Sequence, residues 1–132
     1  MEQLDFTSRD QFDATKAGIT IPTTLIYDNH TVQVPAKADT GAEVCLFERR
    51  YGEMLGIDLE SGEEKYLFPI GNRILTFGHV ITLVTLDIAI ESKVYFPLQE
   101  NLNRNLLGRQ GWLEFLNFGL SVQKQTVYLG RA

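Results

Sequence analysis

Scarcity is the first thing this chain of 132 residues shows: one cysteine, two histidines, one tryptophan and four prolines. A lone Cys45 cannot close an internal disulfide. Two distant histidines, His30 and His79, together with that one cysteine do not approach the ligand spacing of a zinc site, and no metal is expected. Basic residues are outnumbered, 12 Lys and Arg against 17 Asp and Glu, for a net charge of −5. That sign opposes non-specific attraction to nucleic acid or to an anionic membrane. Long apolar runs are missing too. The longest, Val80 to Ile90, is interrupted by Thr82, Thr85 and Asp87 and falls well short of the ~20 residues a membrane helix needs. The first ten residues lack a basic start followed by an apolar stretch, so no secretory leader is expected. The expectation is a cytoplasmic protein with no membrane or nucleic-acid partner.

Motif absences narrow the chemistry. Ser8, Ser61, Ser92 and Ser121 lie in no Gly-x-Ser-x-Gly elbow. Neither a phosphate-binding Gly-x-x-x-x-Gly-Lys loop nor a Gly-x-Gly-x-x-Gly turn occurs. A thiol hydrolase would have to use Cys45 with His30 or His79. Cys45, however, sits in the apolar run Val44-Cys45-Leu46-Phe47, where a cysteine behaves as a small buried hydrophobe.

What remains is ordinary globular material. Hydrophobic residues make up 44% and charged residues 22%, which suits one folded domain with a real core. Residues 1–18 read as a polar arm that Phe6 and Phe12 could pin, and residues 19–132 as the domain. Thr23 to Tyr27 and Thr31 to Val34, joined by Asp28-Asn29-His30, read as a β-hairpin. A second hairpin runs from Tyr66 to Phe77 through the Gly71-Asn72 turn. Further strands are expected at His79–Ile90, Lys93–Leu98, Arg104–Leu107, Gly119–Gln123 and Thr126–Leu129. Helical spacing appears twice: Glu48 to Leu55, stopped by Gly56, and Gln110 to Phe118, where Trp112, Leu113, Phe115 and Leu116 recur at about 3.6 residues. The class is all-β.

The stretch from Val34 to Val44 carries the chemistry. An apolar strand delivers Asp39 to a tight turn, with Thr40 able to brace it and Gly41 leaving room for a bend or a close-lying ligand. Sixty-nine residues after Asp39 comes Leu106-Leu107-Gly108-Arg109, an apolar pair closed by Gly-Arg and followed at once by the helix-like segment. With the Gly71-Asn72 hairpin between them, these elements resemble the retropepsin-like aspartic protease family over residues 20–130.

That resemblance implies a small closed β-barrel with a flap hairpin and one short C-terminal helix. It implies Asp39 as the catalytic residue and Thr40, Gly41 and Ala42 as its turn. Ile70, Gly71 and Asn72 would form the flap tip over substrate, and Arg104 and Leu106 would wall the side-chain pockets. Glu43, Leu107, Gly108 and Arg109 would be structural support, with a Glu43–Arg109 ion pair. One motif per chain implies a homodimer that brings two Asp39 carboxylates together. Side by side they share a proton, one acting as base on a water and the other as acid toward the peptide carbonyl. The implied partners are a peptide or protein substrate and a second copy, with no cofactor. Three departures stand out: Pro69 beside a single flap glycine should stiffen the flap, Val44 stands where the viral relatives have an acidic residue, and the amino-terminal arm is long. Against the endopeptidase stands a second possibility, the same fold used for binding or dimerisation with weak or no proteolysis.

Overall fold

The computed structural model describes residues 1–68 and 71–132. Among the described residues nine strands form two open sheets rather than one closed barrel. The larger holds β2 (Ile19–Tyr27), β3 (His30–Ala38), β4 (Glu63–Leu67), β5 (Ile74–Thr85), β6 (Ile88–Pro97) and β7 (Leu106–Leu107). The smaller joins β1 (Ser8–Gln11), β9 (Thr126–Arg131) and β8 (Leu116–Ser121), in that order.

The first hairpin forms as the sequence predicts. Tyr27 pairs with His30 across the two-residue turn Asp28-Asn29, and the register runs back to Ile19 and Ala38. The β4–β5 hairpin also forms, with Leu67 opposite Ile74. Strand β5 then continues past it to pair with β2 and, along its other edge, with β6. The expected single strand His79–Ile90 is in fact the end of one strand and the start of the next. Leu86 takes a left-handed φ of 53° and turns the chain at Leu86-Asp87. The Asp87 carboxylate accepts a hydrogen bond from the Ser8 hydroxyl.

Two further expectations are corrected. The one α-helix among the described residues, α1 (Arg49–Met54), is the one that stops before Gly56. No C-terminal helix follows Gly108: Leu113–Phe115 makes one 3-10 turn and the chain then extends into β8. Trp112 and Leu116 are both buried, so their spacing imitates a helical face, but the β8–β9 ladder from Leu116↔Arg131 to Ser121↔Thr126 claims the backbone. The polar arm is also not irregular throughout. Ser8–Gln11 pairs with β9, Phe12 is buried, and the Phe6 ring lies 5.8 Å from that of Tyr128.

The main core gathers Ile21, Leu25, Val34, Phe47, Leu83, Phe96, Leu107 and Trp112, with Val127 and Leu129 joining it from the small sheet. Trp112 is wholly buried, and its indole N–H donates to Thr85 Oγ1 at 3.0 Å, so burying the ring leaves no orphaned donor. A smaller cluster of Val44, Leu46 and Tyr95, with Leu67, Leu102 and Leu106 packed on it, lies apart from the main core. Among the described residues no helix is long and apolar enough to cross a membrane.

Candidate active site

Strand β3 ends at Ala38, and Asp39 opens the turn that follows. The turn is locked from three directions. Asp39 N–H donates to Leu107 O at 2.9 Å, extending the parallel β3–β7 pairing by one residue. Ala42 N–H closes the turn on Asp39 O at 3.1 Å. Gly41 N–H donates to Asp39 Oδ1 at 2.9 Å, which fixes the carboxylate's orientation. Asp39 is half-buried, whereas Thr40 and Gly41 are exposed.

Behind the turn, Leu106-Leu107-Gly108-Arg109 runs between β3 and the segment 44–46. Leu106 exchanges backbone hydrogen bonds with Leu46 at 2.7 and 3.0 Å. Arg109 N–H donates to Ala42 O, and Arg109 Nη1 donates to Thr40 O at 2.8 Å. Arg109 therefore braces the turn through a carbonyl. The expected Glu43–Arg109 ion pair is not made: Glu43 Oε1 lies 2.9 Å from Lys65 Nζ instead. The Glu43 carboxylate holds the Lys65 ammonium above the usual lysine range. A long-range strand pairing, invisible in local sequence, put Lys65 within reach.

A groove of about 680 Å³ opens over this turn. Asp39, Gly41, Ala42, Glu43, Arg104 and Leu106 line it. Leu107 and Gly108 are buried behind it, and Thr40 contributes its carbonyl but is not part of the lining. Gly71 and Asn72 are exposed and are not among the described lining residues. Pro69 and Ile70, expected to stiffen and tip the flap, lie outside the described residues. Sequence reasoning missed the opposite wall. Lys65, Tyr66, Leu67 and Phe68 from β4 and its extension, with Ile74, face the turn across the groove, and Leu102 joins Leu106. The period-two alternation of a strand was the available signal, since Lys65 and Leu67 are its two more buried positions.

Asn105 is another residue the sequence did not single out. Its amide Nδ2 donates to Glu48 Oε2 at 2.6 Å, and its Oδ1 accepts from Glu48 N–H at 3.0 Å. Its backbone carbonyl accepts from Lys37 N–H at 2.9 Å. One side chain thus ties the groove wall to the entry of α1, while the backbone ties it to β3. Asn105→Ala leaves the buried Glu48 carboxylate with Arg50 alone, at 3.2 Å. We expect a loss of about 3 kcal/mol in urea unfolding, because removing one partner strands a buried charged acceptor. A change below about 1 kcal/mol would contradict that role.

Cys45 is wholly buried, with Sγ 3.4 Å from Gly108 N. Burial pushes its thiol from the ordinary 9.0 up to about 12, against the small lowering effect of the Gly108 N–H. A nucleophilic thiol needs the opposite shift and access to solvent. The folded protein should therefore resist iodoacetamide at pH 8 and react only when unfolded. The folded state also holds its proton more tightly, so the stability this contributes is present below pH 9 and drains away toward pH 12. Rapid alkylation of the folded chain would contradict this placement.

No protein-family model matches the chain, and no curated protein matches its sequence. Solved structures do match. A retropepsin-like aspartic protease from Rickettsia conorii superposes with a TM-score of 0.68 over 98% of this chain and 96% of that one, at 19% identity. The fold is retropepsin-like. EIAV protease in complex with the inhibitor HBY-793 matches with a TM-score of 0.56, over 74% of this chain and 86% of its own, at 15% identity.

Proposed function

We propose that this chain is an aspartic endopeptidase that works as a homodimer, with one Asp39 from each copy. The observation that carries this reading is Asp39 itself. Its carboxylate is oriented by the Gly41 N–H, half-buried at the floor of a groove large enough for an extended peptide. A single chain supplies one such carboxylate, and the exposed Thr40-Gly41 end of its turn leaves room for a second copy on a two-fold axis.

Two carboxylates about 3 Å apart cannot both ionise cheaply, so they hold one proton between them. The ionised one takes a proton from a water, the water attacks the peptide carbonyl, and the protonated one donates to that carbonyl oxygen. The proton taken from the water then passes to the amide nitrogen as the C–N bond breaks, releasing an amine and a carboxylic acid. Backbone groups of the turn and of β4 would pair with the substrate as an added strand. Phe68, 72% exposed at the rim of the groove, would cover it from the hairpin side.

Strands β1, β9 and β8 pair in that order within the chain, which leaves the outer edges of β1 and β8 open. Copy-to-copy contact must in any case include the Asp39 turn, where the two carboxylates meet. The experiment is digestion of a mixed peptide library from pH 3 to 8, with sedimentation of the same samples. Cleavage confined to dimeric samples is the expected outcome. Cleavage by a stable monomer would overturn the paired-carboxylate mechanism, and a folded dimer that cleaves nothing would favour a binding module on this fold.

A further inference from the structure

The groove has apolar walls and four charges. Val44, Leu46, Leu67, Ile74, Leu102 and Leu106 supply most of the apolar lining, and the charged members are Asp39, Glu43, Lys65 and Arg104. Three of the four are accounted for. Glu43 and Lys65 neutralise each other at 2.9 Å, and Asp39 is turned toward the Gly41 N–H at the floor. Arg104 alone makes no ion pair or side-chain hydrogen bond with any described residue. It is not simply a loose surface cation, because the next residue is fastened on both sides. Asn105 bonds Glu48 through its side chain and Lys37 through its carbonyl. The backbone that bears Arg104 is thereby held at the groove wall between Leu102 and Leu106.

A guanidinium presents a rigid fork of N–H donors that matches a carboxylate with two parallel hydrogen bonds. Arg104 is exposed at the groove wall, so such a pair acts at short range and is weakened by salt. We infer that Arg104 is a specificity-determining residue that selects an acidic side chain, Asp or Glu, in the bound peptide. This rests on the groove being the peptide site proposed above. The rest of the wall then sets the flanking preference, for apolar side chains. The chain's overall charge of −5 works against an acidic peptide at long range, so the selectivity must arise from local pairing. It should show as a difference between Glu and its neutral isostere Gln rather than as tight binding of any anion.

The test uses fluorescein-labelled extended peptides in which Glu, Gln, Leu or Lys is placed at each position in turn. Binding is measured on the full-length Asp39→Asn protein, which does not turn the peptide over, and cleavage on the unsubstituted protein. At one guest position Glu should bind about threefold more tightly than Gln at low salt, the expected scale for one exposed ion pair. Arg104→Gln should level that ratio, and Arg104→Glu should make Lys the preferred guest. Both variants alter an exposed side chain, and a melting curve checks their folding. A Glu to Gln ratio near one at every position, or a preference that survives Arg104→Gln, overturns the proposal. Cleavage without a Glu preference removes this inference and leaves the endopeptidase standing. A Glu preference in binding with no cleavage does the reverse. Failure of every peptide to bind removes both.

Discussion

Asp39→Asn should lower peptide cleavage by about a thousandfold, the scale of losing a positioned acid–base group, while the protein still melts within a few degrees of the unsubstituted chain. The two halves of that expectation have different causes. Activity falls because an amide can neither take a proton from water nor donate one in the way the paired carboxylates do. Stability persists because the structural duty of Asp39 falls on Oδ1, which accepts the Gly41 N–H at 2.9 Å. The Asn side-chain oxygen can accept the same bond. Asp39→Ala lacks that acceptor, so it should be equally inactive but less stable, by about 1 kcal/mol for the lost hydrogen bond.

Mixing gives a sharper result than either variant alone. If each active site takes one Asp39 from each copy, equal amounts of active and Asp39→Asn chains that exchange subunits leave about a quarter of the dimers with two carboxylates. Activity should then be about a quarter of that of the same total amount of unsubstituted protein, against about half if each chain worked alone. A value of one half, with subunit exchange demonstrated by labelled chains, would overturn the shared site. A binding module would show no cleavage in any mixture.

Local chemistry determined which features could be read from the sequence. The Asp28-Asn29 turn and the short helix before Gly56 depend on residues close in the chain, and each formed where its residues predict. The failures involve partners far apart. Trp112 and Leu116 gave a helical period because both are buried, yet pairing with β9 decided the conformation after Phe115. Leu86 carries no turn signature, and Asp87 is held by Ser8 from β1, 79 residues away. Charges at Glu43 and Arg109 were visible, but only the folded β4–β5 hairpin reveals that Lys65 takes Glu43 and leaves Arg109 to the Thr40 carbonyl. The Asn105–Glu48 clip escaped notice for the same reason: a reciprocal hydrogen bond across 57 residues leaves no periodic trace.

Gly108→Ala should be the most damaging single-methyl change near the site, destabilising the protein by about 3 kcal/mol or more and lowering its melting temperature by roughly 10 °C. A Cβ there would press into the Val44 carbonyl oxygen, 2.6 Å from the Val44 carbonyl carbon and 2.9 Å from the Ala42 oxygen. These are backbone atoms, and none can swing aside as the end of a long side chain would. Ala42 O already accepts the Arg109 N–H, and β7 is paired on one side to β3 and on the other to Leu46. Relief therefore requires separating the two backbones that fix the Asp39 turn, so activity should fall with stability. Gly71→Ala makes the contrast. Gly71 has a φ of 78° but no neighbour among the described residues within 4 Å of the added carbon, so conformational strain of about 1 kcal/mol is expected. Urea unfolding of the two variants side by side separates close approach from backbone strain. Equal losses would mean that Gly108 is tolerated by relaxation and that the support beneath Asp39 is softer than its hydrogen bonds imply.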